Sequence, residues 1–187
     1  GTMPDILLAA QDRTARAALY GKRVLDRIFA LREARKTPLL SLYTATGLHF
    51  RRIVREKRGI SLRGAVEAAN LFEVPVDMLL AEVTPDLGQE IADMLVATTQ
   101  PGVERIGGHT ATYRASAALN ARRITLRMSV RRASTLSGIA KSWWGNVRTL
   151  RRLPLERLHA AADTVGLDWR RAIYDRSLGK APLQEGA

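Results

Sequence analysis

Two stretches of this chain repeat one apolar pattern 93 positions apart. Laying Leu62 on Leu155 also lays Ala65 on Leu158, Ala68 on Ala161, Ala69 on Ala162, Phe72 on Val165 and Val74 on Leu167. These positions recur at helical spacing, so the match is between two buried helix faces. The wider repeat runs over residues 24–80 and again over 118–174, each reading as five short helices. A chain of 187 residues written twice on one small helical plan is expected to be all-α, with two units of roughly 60 to 80 residues and a connector.

Charge narrows the partners. The sequence carries 30 Lys and Arg against 18 Asp and Glu, a net +12, and lysine appears only at Lys22, Lys36, Lys57, Lys141 and Lys180. Residues 111–187 hold 15 basic and five acidic side chains, whereas residues 83–110 hold one and four. Arginine's planar fork suits phosphate and guanine edges, and solubility alone needs no such bias. A polyanion partner is expected. No apolar run approaches the ~18 to 20 residues of a membrane span. With no cysteine there is no disulfide framework, thiolate metal site or cysteine nucleophile. Gly1-Thr2 ahead of Met3 reads as a cloning remnant, and without a secretory pattern the expected location is cytoplasmic, at the nucleoid.

In the first copy, Val24, Ile28 and Leu31 mark one helix face. Thr37-Pro38 reads as a helix start, and Leu39 to Thr46 as a short helix stopping at Gly47, where positive φ carries no steric penalty. Leu48 to Lys57 follows at once, closed by Arg58-Gly59. Ser61 caps a fourth helix through Phe72, and Pro75 to Glu82 makes a fifth. Two short helices joined by a tight glycine turn form a helix-turn-helix, whose second helix lies in the DNA major groove.

The segment Arg27-Ile28-Phe29-Ala30-Leu31-Arg32-Glu33-Ala34-Arg35 resembles the opening helix of the Cro and phage-repressor (XRE) family of helix-turn-helix proteins. Leu42, Gly47, Leu48, Ile53 and Gly59 fall at that family's spacing, and Ser61-Leu62 with Val76-Asp77-Met78-Leu79-Leu80 resemble its fourth and fifth helices. Tyr43, Thr46 and Lys57 depart from it. The resemblance implies two lambda-repressor-like five-helix domains. Residues 1–23 then form an N-terminal extension, 24–82 the first domain, 83–112 an acidic helix and flexible linker, 113–178 the second, diverged domain and 179–187 a flexible tail.

In the second copy, Leu119, Ile124 and Met128 supply a first-helix face. Thr135 to Ser142 is taken as the second helix, with Ile139 in the place of Leu42. Leu150 then stands where Ile53 stands, Trp144 falls on the turn-glycine position with Gly145 following, and about four residues are lost before Pro154. Between the copies, Asp86 to Val96 reads as an acidic amphipathic helix with Leu87, Ile91, Leu95 and Val96 near one face. Ala97 to Thr112 reads as a linker.

The family's base-reading positions, carried onto this chain, fall at the start of the third helix. His49, Phe50, Arg51 and Arg55 are expected to face outward with Arg52 at the flank, and Phe50 to meet a thymine methyl. Lys57, Arg58 and Arg63 are expected to hold phosphates. In the second copy Asn146, Arg148, Thr149, Arg151 and Arg152 take the corresponding role. Asn146 suits adenine or, equally, a turn and cap. Trp143 and Trp144 read as core, the alternative for one of them being a protein-contact anchor, a base-step wedge or a backbone-packing residue, and Trp169 is core. His49, His109 and His159 are isolated, and neither GxxxxGK[ST] nor GxGxxG occurs, so no enzyme, metal, cofactor or small-molecule ligand is expected.

Two functions compete on these residues. One is a sequence-specific double-stranded DNA-binding transcriptional regulator of bacterial, phage or mobile-element origin, reading an asymmetric or imperfectly palindromic site. RNA polymerase, another DNA-bound protein or a second copy of the chain are its candidate protein partners. The other is a DNA-tethered adaptor whose second unit docks a protein through Trp143 and Trp144. Structured RNA is a minor third.

Overall fold

A computed structural model describes residues 1–56, 59–97 and 105–180. Among them the chain is all-α. The first unit comprises α1 (Met3–Ala34), α2 (Leu39–Thr46), α3 (Phe50–Glu56), α4 (Leu62–Phe72) and α5 (Val76–Leu79). After α6 (Leu87–Val96) come α7 (Gly108–Thr125), α8 (Val130–Ser137), α9 (Lys141–Asn146) with a 3-10 turn at Val147–Thr149, α10 (Leu155–Val165) and α11 (Trp169–Tyr174). No described helix is long and apolar enough to cross a membrane.

The repeat is visible in backbone detail as well as in helix order. Both first helices end on a residue forced to positive φ, Lys36 at 52° and Arg127 at 53°. The amide three residues past each last helical residue then bonds back, Thr37 to the Arg32 carbonyl and Met128 to the Arg123 carbonyl. This pattern satisfies carbonyls that a helix end would otherwise leave bare. The fourth helices agree too: Glu73 caps α4 at φ 58°, and Gly166 caps α10 at φ 63°. Glycine is the unstrained choice there, and the first copy carries a glutamate at some cost.

The two units meet on equivalent residues. The Leu62 amide donates to the Leu153 carbonyl (2.8 Å), and the Leu155 amide donates to the Ile60 carbonyl (3.0 Å). Each bond is the other moved by 93 positions, so an approximate two-fold axis runs through the antiparallel bridge of Ser61 and Pro154. The same axis exchanges larger contacts, with α1 packing on α10 and α7 packing on α4. One side chain set fills the shared interior, including Tyr20, Ile28, Leu62, Phe72, Leu119, Trp144, Leu155 and Trp169. Burying each of the larger ones contributes about 1.5 to 3 kcal/mol.

Close approach of α4 to α7 depends on Gly108. A Cβ there would lie 2.6 Å from the Arg63 Cγ and 2.7 Å from the Arg63 carbonyl oxygen, and the Gly108 amide donates to the Glu67 carboxylate at 2.6 Å. Gly108 to Thr112, expected as linker, therefore begins α7, and Arg63, expected at phosphate, lays its stem along this helix pair. Ile106 is buried just ahead, its carbonyl accepting from Asn70 Nδ2. Residues 98–104, within the expected linker, and 181–187, in the expected tail, lie outside the described residues.

Residues 1–23 are not a separate extension. They form the first two-thirds of the 32-residue α1, capped by Thr2 and Asp5 in a reciprocal box, and they run along the second unit. Arg13 reaches Asp163 on α10 at 2.8 Å and the Leu136 carbonyl on α8 at 2.7 Å. Tyr20 stacks on His159, ring centroids 4.6 Å apart.

The acidic helix α6 docks through an ion pair as well as an apolar face. Glu90 accepts from Arg27 Nε (2.6 Å) and from Arg23 (2.8 Å), and Arg27 also donates to the carbonyls of Leu79, Ala81 and Glu82. Met94 is its one buried residue, while Val96, expected on the inner face, is 79% exposed.

Candidate nucleic-acid interface

In each unit a short helix, a left-handed glycine and a second short helix follow one another. Gly47 (φ 68°) ends α2 and Gly138 (φ 74°) ends α8. The residue before each glycine bonds the same way. Thr46 Oγ1 donates to the Leu42 carbonyl and accepts from the Leu48 amide. Ser137 Oγ donates to the Ala133 carbonyl and accepts from the Ile139 amide. The hydroxyl thus closes the helix and fixes the turn in both copies.

This corrects the expected register of the second copy. Its second helix is Val130–Ser137 rather than Thr135 to Ser142, and its turn glycine is present as Gly138, 91 positions after Gly47. Ala133, not Ile139, stands in the place of Leu42, and Trp144, not Leu150, in the place of Ile53. Two residues are added before α10, rather than four lost. Volume explains how the apolar pattern misled: leucine and isoleucine of the first copy become a small alanine and a large tryptophan in the second. The signal that would have found the register is Thr46-Gly47-Leu48 beside Ser137-Gly138-Ile139.

Trp143 and Trp144 are not exposed partner contacts. They are 7% and 0% exposed, packed edge to face at 5.4 Å, and the Trp144 indole donates to Ser137 Oγ at 2.9 Å. A buried indole N–H needs such a partner, and the turn hydroxyl provides it. Trp169 is buried at the start of α11, over the Tyr20 edge.

On α3 the residues His49, Arg51, Arg52, Val54 and Arg55 are exposed, with Ile53 buried behind them. Phe50 is the exception to the expected outward set: it is 3% exposed and packs edge to face on Phe29 at 5.5 Å, so it cannot meet a thymine methyl. His49 lies against Tyr43, centroids 4.1 Å apart. Lys57 and Arg58 lie outside the described residues. In the second unit Asn146, Arg148, Thr149, Arg151 and Arg152 are all exposed. Asn146 Nδ2 donates back to the Ser142 carbonyl at 2.8 Å, and Thr149 Oγ1 to the Asn146 carbonyl at 3.1 Å, the local capping role foreseen as the alternative for Asn146. Lys141 on α9 and Arg131 and Arg132 on α8 are exposed as well, and the expected register, which began the second helix at Thr135, left them unassigned.

Carboxylates are consumed elsewhere. Glu90 holds Arg23 and Arg27, Glu82 holds Arg170 (2.8 Å) and the His159 ring, and Asp163 holds Arg13. Burial works to raise Glu90, but the Arg27 and Thr84 hydrogen bonds outweigh it and hold the carboxyl at about 2. Glu82 is likewise held below the usual range, burial being outweighed by Arg170 and His159. By contrast Arg51, Arg148, Arg151 and Arg152 make no ion pair among the described residues, so their charge faces solvent. No group of three or more metal-ligating side chains occurs among the described residues.

Both third-helix segments end near the two-fold axis. Glu56 precedes Ile60, and Thr149 precedes Leu153, by four residues, a reach of at most about 14 Å in each case. What the geometry defines is an all-α protein with two equivalent helix–glycine–helix corners related by an internal axis, flanked by unneutralised arginine. No protein-family model, no curated protein and no solved structure matches the chain.

Proposed function

We propose that this protein is a sequence-specific double-stranded DNA-binding transcriptional regulator, in which one chain supplies both halves of what is ordinarily a symmetric dimer. The observation that carries this reading is the internal two-fold axis through Ser61 and Pro154, which relates two helix–glycine–helix corners bearing exposed arginines. Chain reach from that axis puts the centres of the two third-helix segments no more than about 45 Å apart. That limit admits the 34 to 36 Å that separates successive major grooves on one face of B-DNA. The resemblance of residues 27–80 to the Cro and phage-repressor family points the same way, and a bacterial, phage or mobile-element setting follows from it.

Action would be by occupancy, with one chain covering about one helical turn on either side of the axis and excluding or recruiting RNA polymerase. The adaptor reading rested on exposed tryptophans, a lost turn glycine and a shortened third helix; the tryptophans are buried and the glycine is present as Gly138, while α9 has six residues against seven in α3. The test is selection of bound duplexes from a random pool by the full chain, followed by sequencing and a stoichiometry measurement on the enriched site. A shared motif bound by one chain per duplex supports the proposal. Enrichment of single-stranded or hairpin RNA over duplex DNA in a parallel pool overturns it.

A further inference from the structure

We infer that the two corners divide the work, the first reading base sequence and the second gripping the phosphate backbone of the adjoining half-site. This rests on the DNA-binding reading above and adds which residues determine specificity. Moved by 91 positions, the exposed α3 residues His49, Arg51, Arg52, Val54 and Arg55 become Ala140, Ser142, Trp143, Gly145 and Asn146.

The exchange removes the chemistry of direct readout. Base discrimination needs paired donors and acceptors that reach a base edge, as an arginine fork does for guanine. Ala140 offers a methyl group, Gly145 offers nothing, Ser142 carries a short hydroxyl and Trp143 is turned into the core. Asn146 has the right amide, and one of its two Nδ2 donors is taken by the Ser142 carbonyl one turn back. A Cβ at Gly145 would meet no atom within 4 Å, so packing does not require its missing side chain. What the face lacks is the arginine fork that the first corner presents three times.

The second unit keeps its charge, displaced from the helix face to its borders. Arg131 and Arg132 begin α8, and Arg148, Arg151 and Arg152 follow α9 toward the two-fold axis, all exposed. Long cations bordering a bare helix suit phosphates, which position a protein without carrying sequence information. Arg151 and Arg152 stand immediately before Leu153, whose carbonyl accepts the bridge bond, so they flank the centre of the site.

The test compares two variants of the full chain, Arg51→Ala and the triple Arg148→Ala/Arg151→Ala/Arg152→Ala, on the duplex enriched by selection and on duplexes with either half scrambled. All four side chains are exposed, so circular dichroism is expected to match the parent. The enriched motif should be confined to one half, and scrambling that half should weaken binding by at least roughly 100-fold, against no more than about threefold for the other. Arg51→Ala should shrink the ratio of motif to scrambled affinity roughly tenfold. The triple variant should weaken motif and scrambled DNA alike and lower the slope of log affinity against log salt by about 2 to 3. A motif of equal information in both halves overturns the division of work while leaving the DNA-binding reading standing. Salt-dependent binding with no enriched motif overturns both the division and the sequence-specific claim, and absence of duplex binding overturns the DNA reading itself.

Discussion

Ser61 and Pro154, 93 positions apart, face each other across an antiparallel bridge, and the residues beside them exchange equivalent hydrogen bonds. A repeat that meets itself on matching residues behaves as a covalently joined dimer. The second copy is then free to diverge where a true dimer is not, because a change in one half is not imposed on the other.

Ser137 closes α8, orders the turn amide and accepts from the buried Trp144 indole. Ser137→Ala should lose about 1 to 3 kcal/mol by leaving that N–H without a partner. The matching Thr46→Val in the first unit, where no indole depends on the hydroxyl, should lose less. Urea midpoints at constant m value would measure the difference.

Gly47 and Gly138 both sit at φ near 70°, and a Cβ would meet nothing within 4 Å at Gly47 and only ordinary contacts at Gly138. Alanine at either position should therefore cost a similar amount, about 1 to 2 kcal/mol, from backbone strain alone. A much larger loss at Gly138, read from thermal midpoints, would contradict the geometry.

Gly108→Ala is a different matter, because the added Cβ would strike the Arg63 backbone. It should cost about 2 to 3 kcal/mol by forcing α7 from α4. Arg63→Ala/Gly108→Ala should not restore the loss, since the carbonyl oxygen at 2.7 Å remains. A double-mutant cycle by chemical denaturation checks this.

Glu90 sets an acid limit. Its carboxyl is held at about 2 in the folded chain, below its ordinary value near 4.5. The stabilisation is therefore complete above about pH 5 and is lost as pH falls through 4 toward 2, amounting to about 2 kcal/mol. Glu90→Gln should flatten the stability profile over that window and, by leaving Arg27 buried without its anion, cost about 3 kcal/mol at pH 7. Denaturation at a series of pH values would show both effects.

Local chemistry was legible in the sequence wherever it is self-contained. Ser61 as a cap, Gly47 as a turn and the apolar face of residues 62–72 depend on near neighbours, and each stands where the spacing put it. The candidate site was half legible: Arg51 and Arg55 are exposed on α3 because the helix period turns them outward, whereas Arg148, Arg151 and Arg152 are exposed on the 3-10 turn after α9 and the segment that follows it, where no helix period applies.

Pairings between distant residues were settled by the fold alone. Phe50 reads as an outward residue until Phe29 of α1 covers it, and Trp144 reads as a turn until the Ser137 hydroxyl of α8 takes its buried indole N–H. Residues 1–23 look like an appendage in sequence because their partners, Leu136, His159 and Asp163, come more than 100 positions later. Composition and residue spacing suffice to make this chain helical, basic and written twice. How the two copies share one core depended on volumes and hydrogen bonds brought together across the axis, which no local pattern encodes.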